Sequence, residues 1–188
     1  MTTTWISEDG EPVSKKISIF GWVLLFSRGS AIIFIIIFGL ILKFLLRVFE
    51  KPLFGARRPV SPQITVMVSK ISLWLLSIPV TRFGAPLKKP GAFVANHSSW
   101  LDIFALNSGH SLYFVSKSEV ASWPGIGLLA KATGTLFIRR ESKEAVAQKK
   151  LFGQRMKMGH RLLFFPEGTS TDGMRVLPFK SALFQAFF

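Results

Sequence analysis

Between Ile17 and Phe49 apolar residues follow one another with little polar interruption, and they fall on all sides of a helix instead of in one stripe. A helix that is apolar all round sits in lipid or inside a large core, so this stretch predicts a spanning or deeply embedded helix. Its densest part lies between Arg28 and Lys43, which bracket 14 uncharged residues. Crossing a bilayer takes roughly 20 residues, and snorkelling of either long basic side chain extends the span. A signal peptide fits poorly, because the run starts late and lacks a clear small-residue cleavage site. A second apolar stretch, Ile64 to Val80, is broken by Ser69, Lys70, Ser72 and Ser77. It predicts an amphipathic helix, either in the membrane interface with Trp74 as an anchor or packed on the following domain. Residues 51–62, KPLFGARRPVSP, read as a Pro-rich basic linker between the two.

From Pro86 onward the pattern changes to short β-rich runs alternating with helical ones. Strands are predicted in GAFVAN (91–96), LYFVSK (112–117), TLFIRR (135–140) and RLLFFPE (161–167). Helices are predicted from Trp100 to Asn107, in part of Glu119 to Lys131 with a break at Pro124-Gly125, and from Ser142 to Lys157, with Ser142 as N-cap. Strands alternating with helices predict an α/β domain with a mostly parallel sheet flanked by helices. The expected division is a flexible N-terminus (1–16), membrane-embedded or interfacial helices with a basic linker (17–85), and an α/β domain (86–188).

Composition sharpens the membrane assignment. The chain is 49% hydrophobic, with 24 Lys and Arg against 10 Asp and Glu, a formal net charge of +14. Basic and apolar together point to an anionic membrane surface more than to nucleic acid, and no nucleic-acid-binding motif is present. Lys43, Arg47, Lys51, Arg57 and Arg58 follow the first helix, which under the positive-inside rule places the downstream domain in the cytoplasm. The absence of cysteine excludes a thiol nucleophile, a disulfide framework and Cys-based metal sites.

Two polar stretches leave predicted strands in the same manner, and sites in α/β sheets form at the carboxyl ends of strands. The first is NHSSWLD, 96–102. On a regular helix residues five apart diverge by about 140°, but His97 precedes the helix and can turn back toward Asp102. Ser98 or Ser99 is the expected helix cap. A carboxylate on one imidazole nitrogen fixes the tautomer and leaves the other nitrogen to take a proton. With neither Cys nor a G-x-S-x-G elbow in the sequence, the attacking group is expected to be the substrate's own hydroxyl. A metal site is not expected: His110 and His160 stand outside any ligand spacing. A His-x4-Asp pair alone is common by chance, and a structural histidine at a helix start would look the same.

The second stretch is FPEGTSTDG, 165–173. Gly168 permits close backbone approach, and the N–H groups there, with the Thr169 and Ser170 hydroxyls, can hold phosphate oxygens. Glu167 is an odd choice beside an anion, which leaves it to hold a hydroxyl or a basic group. Arg139 and Arg140, adjacent on a strand, point to opposite faces, so one of them is expected at the ligand.

NHSSWLD, GTLFIRR (134–140), FFPEGTS and VLPFKSALF, in this order over about residues 86–185, resemble the glycerolipid acyltransferase superfamily, its 1-acylglycerol-3-phosphate acyltransferase-like branch. The resemblance implies His97 as catalytic base and Asp102 as its orienter. It implies acceptor binding by Arg140, Glu167, Gly168 and Thr169, and an acyl-donor side formed by Val176 to Phe179, including Pro178. It implies transfer of a fatty acyl group from acyl-CoA or acyl carrier protein to a lysolipid hydroxyl, without metal or bound cofactor, at the cytoplasmic face of a bacterial inner membrane. The first acceptor expected is 1-acylglycerol-3-phosphate. Lyso-ornithine lipid is the alternative, since FPEGTSTDG followed by RVLPFKSALF is also similar to that bacterial branch. A lipid-binding protein that keeps the fold without catalysis is the competing class. Family members usually continue well past the fourth block, so a sheet lacking its last strands is expected of a chain ending at Phe188.

Overall fold

The structure, a computed structural model, describes residues 16–85, 89–139, 144–181 and 184. Helix α1 runs from Ile19 to Phe54, 36 residues or about 54 Å at 1.5 Å per residue. It is long and apolar enough to cross a membrane. Ser18 caps it, its hydroxyl accepting the Gly21 N–H at 3.1 Å. The helix continues through Pro52 to Gly55, so the linker read at 51–62 shortens to Gly55–Val60. In the last turn the proline removes a single backbone bond, and its fixed φ suits the helix. Helix α2, Ser61–Leu75, starts with Pro62 in its first turn, where a missing N–H costs nothing.

The two helices form an antiparallel hairpin, tied at intervals along its length. Arg28 donates to the Ser77 hydroxyl at 3.2 Å, and Lys43 to the Thr65 hydroxyl at 2.7 Å. Glu50 Oε1 accepts the N–H groups of Val60 and Ser61 at 2.7 and 3.0 Å, an anion at the positive end of α2. At mid-length Gly39 lets the backbones close in: a Cβ there would stand 2.5 Å from Val68 Cγ2. The opposite side of α1 remains apolar and exposed, with Phe26, Phe34, Phe38, Phe44 and Phe49 all open. Helix α2 buries Ile64, Val66 and Leu73 between α1 and α3. It is therefore packed on the domain, while Trp74 still projects outward, 76% exposed.

The domain is an α/β unit around a four-stranded, wholly parallel sheet in the order β1-β4-β2-β3. The strands are β1 (Gly91–Val94), β2 (Tyr113–Lys117), β3 (Leu136–Ile138) and β4 (Arg161–Phe164). Helices α3 (Asp102–Asn107), α4 (Ile126–Thr133) and α5 (Ala145–Lys157) connect them, with a 3-10 turn at Ser118–Ser122. Pro124 and Gly125 separate that turn from α4, as expected. The N-cap proposed at Ser142 lies outside the described residues. β4 is flanked by two strands and buries Leu162, Leu163 and Phe164 almost completely, the continuous apolar run of a strand covered on both faces. Leu162 and Phe164 join Tyr113, Val115, Leu136, Ile138 and α5's Phe152 in one core. Leu163, one residue out of phase, faces the other side.

Candidate active site

β1 and β4 are neighbours with Val94 opposite Phe164. His97 and Glu167 each stand three residues past those partners, so the two polar loops leave the carboxyl edge of the sheet side by side. His97 Nδ1 lies 2.8 Å from Asp102 Oδ2. The same oxygen accepts the N–H groups of Ser98 and Ser99 at 2.7 and 3.0 Å. The serine cap expected for α3 is not formed: its N-cap is Leu101, without a side-chain cap bond, Asp102 gathers the N–H groups of the preceding turn, and the Ser99 hydroxyl accepts the nearby Leu101 N–H at 3.1 Å. A carboxylate is the stronger acceptor for several N–H donors. These bonds fix the carboxylate, and the carboxylate fixes the ring.

The ring is also held from its face. His97 stacks on Phe165, centroids 4.0 Å apart and planes 13° off parallel. Its carbonyl accepts the Thr171 N–H at 2.8 Å. The side chains of His97 and Asp102 are 24% and 21% exposed, buried enough to be held and open enough to meet a substrate.

Glu167 is 1% exposed, and both its oxygens are engaged. Oε1 accepts His97 N–H at 3.1 Å and Asn96 Nδ2 at 3.3 Å. Oε2 accepts the Leu177 N–H at 3.0 Å. One carboxylate therefore joins three of the sequence blocks. Gly168 adopts φ 73°, the region glycine favours, and its N–H closes a turn onto the Phe165 carbonyl. Of the loop's other N–H groups, those of Thr169 and Ser170 make no hydrogen bond among the described residues. Pro178, next to Leu177, lies exposed on the same edge. Arg139 directly follows β3 and pairs loosely with Glu144 at 3.7 Å, while Arg140 lies outside the described residues. Asn96, Phe165 and Thr171 lie inside the two polar stretches but carry no role assigned from the sequence, whereas Leu177 falls within the Val176–Phe179 segment that the resemblance places on the acyl-donor side.

The acyltransferase family profile matches residues 78–188, most of the chain. The chain belongs to the acyltransferase family. The resemblance read from its four motif blocks is thereby borne out. It is 49% identical over 184 residues to a lyso-ornithine lipid O-acyltransferase of Rhodobacter capsulatus, covering 98% of this chain and 66% of that protein. It is 39% identical over 104 residues to a 1-acyl-sn-glycerol-3-phosphate acyltransferase of Neisseria gonorrhoeae, covering 54% of this chain and 41% of the relative. The chain thus spans about two thirds of the first relative's length and less than half of the second's. The crystal structure of the 1-acyl-sn-glycerophosphate acyltransferase PlsC of Thermotoga maritima aligns with a TM-score of 0.51 at 22% identity, over 85% of this chain and 70% of that one. This shared fold matches the parallel sheet and flanking helices expected from the sequence.

Proposed function

We propose that this chain carries the acyl-transfer site of a membrane-associated lyso-ornithine lipid O-acyltransferase. His97 Nε2 takes the proton of the acceptor hydroxyl, whose oxygen attacks the thioester carbonyl of acyl-CoA or acyl carrier protein. The C–O bond forms, the C–S bond breaks, and the thiolate leaves and recovers the proton from the imidazolium. Asp102 keeps Nδ1 protonated and stabilises the imidazolium. A thiolate is a good leaving group, so a dyad suffices. Placing the acceptor beside the thioester supplies much of the remaining rate, and Arg140, Gly168, Thr169 and Pro178 are the residues assigned to that task. No metal or bound cofactor enters the scheme. The apolar flank of α1 anchors the site where lysolipids reside, and the basic residues following it favour the cytoplasmic face.

The observation that carries this reading is the geometry of His97 and Asp102, a base and its orienter without a protein nucleophile. The choice of acceptor rests on the Rhodobacter relative, similar over nearly the whole chain. That similarity reverses the order of acceptors expected from the motifs, where 1-acylglycerol-3-phosphate came first. An ornithine headgroup offers a carboxylate and an amine in place of a phosphomonoester.

The test is acyl transfer in membranes from cells expressing the chain, with labelled donor and with lyso-ornithine lipid and lysophosphatidic acid offered in parallel. Product from lyso-ornithine lipid, absent with His97→Ala, is the expected result. Product from lysophosphatidic acid alone would overturn the acceptor, and product from neither would overturn catalysis by this chain.

A further inference from the structure

At the opposite, amino end of the sheet, the α1–α2 link meets the starts of β2 and β4 around a cleft of about 350 Å³. Arg57, Arg58, Tyr113, His160 and Arg161 line it, with Phe54 at its edge. Two of these side chains are deeply buried, Tyr113 at 4% and His160 at 5% exposure. Among the described residues, neither the Tyr113 hydroxyl nor either His160 ring nitrogen has a hydrogen-bond partner. Buried polar groups in native folds are nearly always paired, so this cleft holds hydrogen-bonding capacity with nothing to receive it.

The charge around the cleft is one-sided. The guanidinium of Arg155 lies over the Tyr113 ring at 4.7 Å and that of Arg58 at 5.9 Å, while His160 packs beside the same ring at 4.4 Å. Arg47 approaches from α1, but it shares Glu50, and Glu50 is already committed to the start of α2. Among the described residues, the cleft itself is lined by three guanidiniums, those of Arg57, Arg58 and Arg161, and by no carboxylate, while Arg155 and Arg47 pack behind it and donate to backbone carbonyls. Burial, followed by Arg155, Arg58 and Arg47, holds His160 neutral with its pKa lowered to about 4. Repulsion of this kind is relieved by an anion with several acceptor oxygens, and arginine forks match a phosphate group in shape.

We propose that this cleft is an oxyanion-binding site for a phosphate group, separate from the acyl-transfer site. Four residues of β4 lie between the two, about 13 Å of strand. The phosphate is that of an anionic lipid headgroup or a free phosphate. Phe54 and the apolar surface of α1 run directly to the cleft, which suits the lipid. A bound anion there would lock the α1–α2 hairpin onto the sheet and so couple membrane composition to the stability of the domain.

The experiment uses the full chain in neutral detergent, with thermal unfolding followed at constant ionic strength. Inorganic phosphate is titrated against chloride in one arm. In the other, phosphatidylglycerol is titrated against phosphatidylcholine in mixed micelles. A rise in unfolding midpoint is expected in at least one arm: with inorganic phosphate for a free-ion site, with phosphatidylglycerol alone for a headgroup site. Arg58→Gln should move the dose response about tenfold to higher concentration while acyl transfer is retained. Arg57→Gln, a change at an exposed side chain, provides the same comparison if Arg58→Gln does not fold. No rise with either titrant, or an unchanged dose response in the folded variants, would overturn the site.

Discussion

The Glu167 carboxylate accepts the backbone N–H of His97 at 3.1 Å, across 70 residues of sequence. Its other oxygen holds Leu177 at 3.0 Å, so a single buried anion sets the spacing of the base, the 165–173 loop and the segment before Pro178. Glutamine has the same shape but offers one acceptor oxygen and one NH2 group. In Glu167→Gln one of the two sides must face N–H against N–H, a cost of about 1–3 kcal/mol. The expected outcome is a lower unfolding midpoint together with a kcat reduced on the order of 10- to 100-fold, while KM for the acceptor changes less. Steady-state kinetics with thermal unfolding of the same preparation check it. A raised acceptor KM at unchanged kcat and stability would instead make Glu167 a direct acceptor ligand.

Asp102 receives His97 Nδ1, Ser98 N–H and Ser99 N–H on one oxygen. Asp102→Asn should keep the turn largely folded, because the amide oxygen can still accept N–H groups. It cannot both do so and hold Nδ1 in the protonated tautomer with a negative charge nearby. A fall in kcat by about three orders of magnitude is expected, with little change in unfolding midpoint. Asp102→Ala should add a stability loss of roughly 1 kcal/mol, because the Ser98 and Ser99 N–H groups lose their acceptor. Activity within a few fold of the parent in Asp102→Asn would remove the residue from the mechanism.

What the sequence made legible, and what it hid, follows from how each feature is encoded. The four strands were visible because apolar runs bounded by Gly, Pro and polar turns are local signals, and the His97–Asp102 pair because side-chain chemistry is written in residue type. The function of Glu167 was not visible, since its partners His97 and Leu177 contribute backbone N–H groups that every residue except proline possesses. The position of β4 between β1 and β2 was equally hidden: local pattern carries no strand order, although the unbroken apolar run Leu162–Phe164 already marks a strand covered on both faces. The extension of α1 through Pro52 was missed because proline and the basic residues around it read as linker, whereas the last helical turn tolerates a missing N–H.

Gly39 tests the hairpin. A Cβ at this position would stand 2.5 Å from Val68 Cγ2, and the stiff Val68 side chain has little freedom to retreat. Gly39→Ala should therefore push α1 and α2 apart and destabilise the chain by about 1–3 kcal/mol, even though alanine is the better helix former. Val68→Ala in the same chain should restore much of the loss. Thermal unfolding of the two single variants and the double variant in detergent gives the coupling between them. Additive effects, with no rescue, would mean that the helices do not meet at this point.

His160 makes acid sensitivity a readout of the cleft. Its folded-state pKa is lowered to about 4, first by burial and then by Arg155, Arg58 and Arg47, from an ordinary value of 6.5. Above 6.5 the residue is neutral in both folded and unfolded chains, and the stability it permits is fully present. Between 6.5 and 4 the unfolded chain takes up a proton that the folded chain refuses, so stability falls with pH until the folded state also protonates. The loss attributable to this residue approaches about 3 kcal/mol over that window. His160→Phe keeps a ring beside Tyr113 and removes the titration, so the variant should lose less stability than the parent between pH 7 and pH 4.5. Denaturant unfolding at several pH values measures the difference, which isolates this residue from carboxylates titrating in both proteins. Phosphate in the cleft would favour the imidazolium, and the parent's acid loss should then shrink toward that of the variant. Parallel pH profiles for parent and variant without phosphate would show that His160 protonates as readily in the fold as in the open chain.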